Sequence, residues 1–162
     1  MDSTRDAVVS DAAAIAGIYN QAVTSSTATF DVEPQSVDER AAWLAEHDSG
    51  WPVVVAVSGG AVVAWGSLSR WSDRCAYDGT AELSIYIDEA HHGQGLGTTL
   101  GRELLERAAR IGKHVVISRI CTENTASIRL TERLGFEVVG VLHEVGRKFG
   151  RWLDVVIFEK RL

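Results

Sequence analysis

The chain has 162 residues, 46% hydrophobic and 23% charged, an ordinary composition for one globular domain, and a single domain over 1–162 is expected. Its 22 acidic residues outnumber 16 basic ones, giving a formal net charge of −6; that excludes a general nucleic-acid binder, because a phosphate backbone demands a basic surface. Two cysteines, Cys75 and Cys121, are too few for a disulfide framework, and no apolar run reaches the roughly 20 residues a bilayer requires.

Read in chain order, Val8-Val9 ends a first short strand, and Ser10-Asp11 can cap the helix behind it. Ile15, Ile18, Tyr19 and Ala22 recur at helical spacing as far as about Thr24. Residues 25–34 are polar and β-branched, a loop with an extended stretch around Phe30. Ser36-Val37-Asp38-Glu39 fits a capping box opening a helix through Trp43 and Leu44. A strand over 53–57, a turn at Gly59-Gly60 and a return strand over 61–68 form a hairpin. Residues 81–88 alternate, with Ala81, Leu83, Ile85 and Ile87 on one face and Glu82, Ser84, Tyr86 and Asp88 on the other. A glycine-rich segment at 93–97 leads into a helix whose buried stripe is Leu96, Leu100, Leu104, Ala108 and Ile111, with Gly112 as left-handed C-cap. A strand over 115–121, a helix over 124–134 stopped by Gly135, and strands over 136–142 and 155–159 complete an α/β domain. The order implies one mixed sheet, antiparallel hairpins first and a crossover helix in the middle.

The sharpest chemical signal is Ala90-His91-His92-Gly93-Gln94-Gly95-Leu96-Gly97, between a strand and a helix. Glycines let the backbone turn its amides onto a ligand, and the helix N-terminus adds unpaired N–H groups and positive dipole, a combination suited to phosphate. The anionic ligand of an acidic chain must be held locally in this way. No Gly-Lys-Ser/Thr follows, so a Walker loop is excluded. The dinucleotide fingerprint of a nucleotide-dependent oxidoreductase is poorly matched, since Thr98-Thr99-Leu100 follows Gly97 and antiparallel hairpins precede it. The His91-His92 pair lacks the partners of a ligand set, so no metal is expected.

His92-Gly93-Gln94-Gly95-Leu96-Gly97 resembles the pyrophosphate loop of the GCN5-related N-acetyltransferases (GNAT), and Asn124-Thr125-Ala126-Ser127-Ile128-Arg129-Leu130 with Gly135-Phe136 resembles their second coenzyme A segment. Ile18-Tyr19-Asn20, Ser26 to Phe30, Ala76-Tyr77-Asp78, Thr80-Ala81-Glu82 and Lys148 to Asp154 are similar to the phosphinothricin acetyltransferases and still more to enzymes acetylating methionine sulfoximine and methionine sulfone. The resemblance implies the GNAT fold, acetyl-CoA as co-substrate, a small-molecule amine as acceptor and a homodimer. It implies that backbone groups of Tyr86 and Ile87 meet the pantetheine arm, that His92, Gly93, Gln94, Gly95, Leu96, Gly97 and Thr98 hold the pyrophosphate, and that Asn124 and Ser127 reach the cofactor. It places the acceptor near Phe30, Arg74, Tyr77 and Glu82, with Trp71 a further aromatic for the pocket or the core. The cysteine usage and the apolar runs separately lead to the expectation of a cytoplasmic location and no membrane partner.

Glu82 also has a physical case. Acyl transfer needs a neutral amine, an aliphatic ammonium is mostly protonated near neutrality, and a carboxylate on a polar strand face ahead of the cofactor loop can take that proton. Arg74 can clamp an acidic group, and Trp152 can join the pocket or the core. Two departures from the family stand out: Thr131 where a tyrosine is often the general acid, and His92 where the loop usually begins with Gln or Arg. Cys75 and Cys121 read as apolar packing residues. Competing readings are acetylation of another amine or of a protein N-terminus, and a catalytically silent acyl-CoA sensor.

Overall fold

The computed structural model describes residues 3–162. In chain order it contains β1 (Ser3–Asp6), α1 (Ala12–Ser25), α2 (Val37–Ala45), β2 (Val53–Ser58), β3 (Ala61–Arg70), β4 (Thr80–Ile87), α3 (Leu96–Arg110), β5 (Val115–Cys121), α4 (Thr125–Arg133), β6 (Glu137–Lys148) and β7 (Arg151–Arg161). The strands form one seven-stranded sheet in the order β1-β2-β3-β4-β5-β7-β6. Every neighbouring pair is antiparallel except β4–β5. This is the mixed, mostly antiparallel GNAT sheet expected. The parallel pair follows from α3, because a chain that leaves β4 and crosses back through a helix enters the next strand in the same direction.

Local signals explain where the elements begin and end. Ser36 Oγ accepts from the Glu39 amide at 3.1 Å while Glu39 Oε2 accepts from the Ser36 amide at 2.7 Å, closing the capping box. Gly59 and Gly60 have φ of 57° and 85°, the left-handed pair that matches a two-residue hairpin to strand twist. After α3, Lys113 N–H bonds Ala108 O at 2.9 Å and Gly112 N–H bonds Ala109 O at 3.1 Å, a Schellman motif turning on Gly112 at φ 78°.

Helices cover both faces of the sheet. On one, Leu100 and Leu104 of α3 are fully buried against Ala81 and Leu83 of β4 and Val116 of β5. Each such leucine stabilises by roughly 1.5–3 kcal/mol. On the other, Ile15 and Ile18 of α1 pack with Val55 and Trp65. Gly101 brings α4 close: a Cβ there would lie 2.4 Å from Leu134 Cδ1.

Several expectations need correction. β1 stops at Asp6, and Val8 and Val9 are exposed; Asp11 does not cap α1, because its carboxylate takes both Arg5 nitrogens and the Val8 amide. Ile111 is the C-cap of α3 and lies outside the buried stripe. The last two strands are far longer than 136–142 and 155–159, joined by a turn at Phe149 and Gly150, both with positive φ. β6 is an edge strand with few buried residues, so apolar runs mark only part of it. Trp152 is exposed on this hairpin, belonging neither to core nor pocket, and Cys75 is also exposed, whereas Cys121 is buried.

Candidate active site

The site begins as a failure of strand pairing. β4 and β5 share three rungs, Thr80–Val115, Ala81–Val116 and Glu82–Ile117, and then separate. Beyond them, Leu83–Ile87 pairs only with β3, and Ser118–Cys121 only with β7. The V between the strands holds a cavity of about 70 Å³, walled by Ser84, Tyr86, Ser118, Cys121 and Thr131.

Peptide direction in β4 follows from two bonds. Gly79 O accepts from Val115 on the β5 side, and Asp88 N–H donates to Val63 O on the β3 side. By strand alternation, Ile85 and Ile87 turn their peptide groups into the V, whereas Tyr86 turns its own toward β3. Of the expected Tyr86–Ile87 pair, Ile87 turns its backbone into the V, as Ile85 also does, while Tyr86 borders both cavities. Tyr86 contributes its ring, packed edge-on to Tyr19 with centroids 5.0 Å apart. Burial pushes the Tyr86 phenol well above its usual range, and burial with a hydrogen bond to Asp31 pushes Tyr19 up to about 12. Both phenols are therefore neutral donors at neutral pH.

The V opens into a cleft of about 860 Å³ floored by the glycine-rich loop and walled by α4 and residues 25–28. Gly93 and Gly95 adopt φ of 77° and 82°, and Gly95 is the N-cap of α3. Among the described residues, no backbone carbonyl accepts from the amides of residues 93–97, whereas Thr98 N–H is taken by Gly95 O at 3.1 Å. Gly93, Gly95, Leu96 and Gly97 border the cleft with amides that no backbone carbonyl takes, the makings of an anion nest, while Gln94 lies outside its lining. Gly97 answers a second constraint, since a Cβ there would lie 2.8 Å from Leu130 Cδ2. His92 sits beside the nest and bonds Ile87 O through Nε2 at 3.0 Å. His91 Nδ1 lies 3.6 Å from Asp88. Asn124 caps α4 by accepting the Ser127 amide at 3.2 Å, and both residues border both cavities. Arg129, Arg133 and Arg151 line the cleft beside Glu89 and Glu123, with Arg151 paired to Glu123, so Arg129 and Arg133 are the cations without a carboxylate partner among the described residues. Sequence reading quoted Arg129 and Arg151 within motifs but singled out none of the three.

Glu82 stands on the last parallel rung, at the apex of the V. Its side chain is 18% exposed and both oxygens accept from Arg119, Oε1 from Nε and Oε2 from Nη2, each at 2.8 Å. That pairing holds the Arg119 guanidinium above its usual pKa. The guanidinium lies 5.4 Å from the Trp71 ring centre. Sequence reading did not single out Arg119. Its signal, a lone charge in Val-Val-Ile-Ser-Arg-Ile-Cys, has meaning only once the Glu82–Ile117 rung is known.

Phe30 packs on β6, where a Cβ on Gly146 would lie 2.1 Å from its ring. Arg74 and Tyr77 are exposed on the turn before β4; like Phe30, Trp71 and Glu82, they line neither cavity. Thr131 is 5% exposed and borders the V. The 25–30 loop is held by Lys148, a second residue missed: 4% exposed, it donates to Ala22 O at 3.2 Å, Ser26 O at 2.7 Å and Thr29 O at 2.8 Å. Burial lowers its pKa, against the attraction of Asp31.

A parallel pair that splays beside a glycine-rich helix start is the architecture of an acyl-CoA acyltransferase fold. The acetyltransferase (GNAT) family model matches residues 15–136. A methionine sulfoximine/methionine sulfone acetyltransferase of Pseudomonas paraeruginosa is 41% identical, over 99% of this chain and 94% of the relative. A phosphinothricin N-acetyltransferase of Streptomyces coelicolor is 33% identical, over 98% and 95%. The solved structure of yncA from Salmonella typhimurium with its cofactor acetyl-CoA superposes with a TM-score of 0.96 at 39% identity, covering 99% of this chain and 94% of that one. The chain belongs to the acetyltransferase (GNAT) family, and its activity class is acetyl-CoA-dependent N-acetyl transfer.

Proposed function

We propose that the protein acetylates the amine of a small amino acid or amino-acid analogue, of the methionine sulfoximine, methionine sulfone or phosphinothricin type, with Glu82 as general base. The observation that carries the reading is the carboxylate at the apex of the V. An acyl-pantetheine arm lying along Ile85 and Ile87, its phosphates on the nest at 93–97, brings a thioester toward that apex. Glu82 takes one proton from the acceptor ammonium. The freed lone pair forms the C–N bond as the C–S bond breaks, and the second N–H proton leaves with sulfur as thiol. Asn124, Ser127 and Thr131 border the place where sulfur departs. Thr131 is a weak acid, so the departing thiolate relies on its own low basicity, a model thiol having pKa about 8.5.

Trp71, Glu82 and the Phe30 loop form the acceptor side of this reading; Arg74 and Tyr77 are assigned no part. A homodimer is part of the proposal, supported by Val138, Val139, Val141, Leu142 and Val145, exposed along edge strand β6. A cytoplasmic setting fits the absence, among the described residues, of a helix long and apolar enough to cross a membrane. The test is thiol release from acetyl-CoA across a panel of amino acids, their analogues and simple amines, for the parent and Glu82→Gln. A loss of roughly a hundredfold in kcat with acetyl-CoA affinity unchanged is expected. An undiminished Glu82→Gln removes the base from the mechanism, and a parent inert toward every amine removes the function.

A further inference from the structure

The apex carboxylate is not free in this structure. Arg119 closes its planar fork on both oxygens of Glu82, and it is the one charged residue among those bordering the smaller cavity. The two partners are unequal: the Arg119 side chain is 53% exposed and Glu82 18%. Arg119 also rests over Trp71 rather than in a ring of further acceptors. Its two side-chain hydrogen bonds among the described residues both go to Glu82, so leaving Glu82 breaks no bond to another partner.

We propose that Arg119 is the acceptor-specificity residue, and that the Glu82–Arg119 pair exchanges partners with a zwitterionic amino acid. The acceptor's carboxylate takes the guanidinium fork, and its ammonium takes Glu82. The inference rests on Glu82 being the base.

An α-amino acid carries both charges on adjacent groups, so one internal ion pair is replaced by two to the ligand. Neither Glu82 nor Arg119 is left as an uncompensated charge, which is the costly outcome at a partly desolvated site. A planar fork suits a carboxylate, which it binds bidentately as it now binds Glu82. The exchange also prepares the chemistry. While Arg119 holds both oxygens, the guanidinium stands where an acceptor ammonium would have to bond; once the acceptor draws it away, the oxygens face the ammonium. A simple amine brings no anion, leaves Arg119 on Glu82 and meets a masked base. Discrimination thus comes from what the wrong substrate fails to release as well as from what the right one binds. Arg74 has no comparable placement: it is exposed on the turn before β4 and makes no bond to Glu82, whereas Arg119 both pairs with Glu82 and borders the smaller cavity.

The test compares L-methionine sulfone with the amine left when its carboxylate is removed, by thiol release from acetyl-CoA, in the parent, Arg119→Ala, Arg119→Lys and Arg74→Ala. In Arg119→Ala the KM for the amino acid should rise roughly 10- to 100-fold, the loss expected for a charged hydrogen-bonded pair. Activity on the decarboxylated amine should hold or improve, because the base is unmasked, so the preference for the amino acid collapses. Arg119→Lys should restore the charge but not the fork, recovering part of that preference. Circular dichroism and acetyl-CoA affinity should match the parent, separating lost recognition from lost structure. A preference that survives Arg119→Ala, or that is lost in Arg74→Ala instead, overturns the inference while leaving the proposed activity intact. A parent inert toward all amines overturns both.

Discussion

Lys148→Met isolates the contribution of one buried ammonium, because the replacement keeps the length and the apolar stem while removing three donors. Of the three carbonyls involved, Ala22 O also accepts from the Ser26 amide at 3.2 Å and stays satisfied. Ser26 O and Thr29 O have no other donor among the described residues, and both belong to the loop walling the cleft. An unsatisfied buried acceptor costs about 1–3 kcal/mol, and the loop is only half-buried, so the low end applies to each. Against this, the variant is relieved of a desolvated charge, the cause that lowers the Lys148 pKa. The net expectation is a destabilisation of about 1–3 kcal/mol, or roughly 2–12 °C in Tm for a chain of this size. Urea unfolding measures it through the midpoint at unchanged m. Because residues 25–28 line the cleft, acetyl-CoA affinity should weaken as well, read by titration calorimetry. A variant within 0.5 kcal/mol of the parent, with unchanged acetyl-CoA affinity, would refute the assignment of Lys148 as the anchor of this loop.

Two further outcomes follow from single observations. Gly95→Ala adds a Cβ with no protein atom within 4 Å but at φ 82°, so stability should fall by about 1–2 kcal/mol while the fold persists. Its acetyl-CoA affinity should drop about fivefold or more, the worth of one amide hydrogen bond; unchanged affinity would detach the nest from the phosphates. Asp11 lies below the usual carboxylate range, held there first by the Arg5 hydrogen bonds and then by the Val8 amide. A depressed folded pKa adds stability above the unfolded value and loses it as pH falls through the folded one. Asp11→Asn should therefore cost about 1–2 kcal/mol at pH 7, with the gap closing below about pH 4; a gap constant down to pH 3 would contradict the pairing.

The sequence by itself determined the elements whose signals are local. The Ser36–Glu39 capping box, the Gly59-Gly60 turn, the Gly112 C-cap and the leucine stripe of α3 all act within a few residues, so the chain carries them before it folds. The glycine-rich loop was legible for the same reason: positive φ at Gly93 and Gly95 and a helix start are local facts. The alternation of β4 sorted Glu82 and Tyr86 from Ala81 and Leu83 correctly, since side-chain period is a property of one strand. Strand ends were less legible. β6 lies on the sheet edge and carries exposed residues almost throughout, so its extent depends on pairing with β7 rather than on hydrophobicity.

Only the tertiary structure decided what surrounds the carboxylate. Glu82 becomes an apex because β4 and β5 part after the Glu82–Ile117 rung, and that parting involves strands 30 or more residues apart in the chain. The same distance hid Arg119, which joins Glu82 across 37 positions, and Lys148, which reaches Thr29 across 119. Peptide direction in the V likewise depends on which neighbour each rung faces, which is why the backbone of Ile85 opens into the V and that of Tyr86 pairs with β3. A residue's type and spacing declare its chemistry, but partners brought together by packing decide whether a charge is free, paired or buried, and no local pattern encodes them.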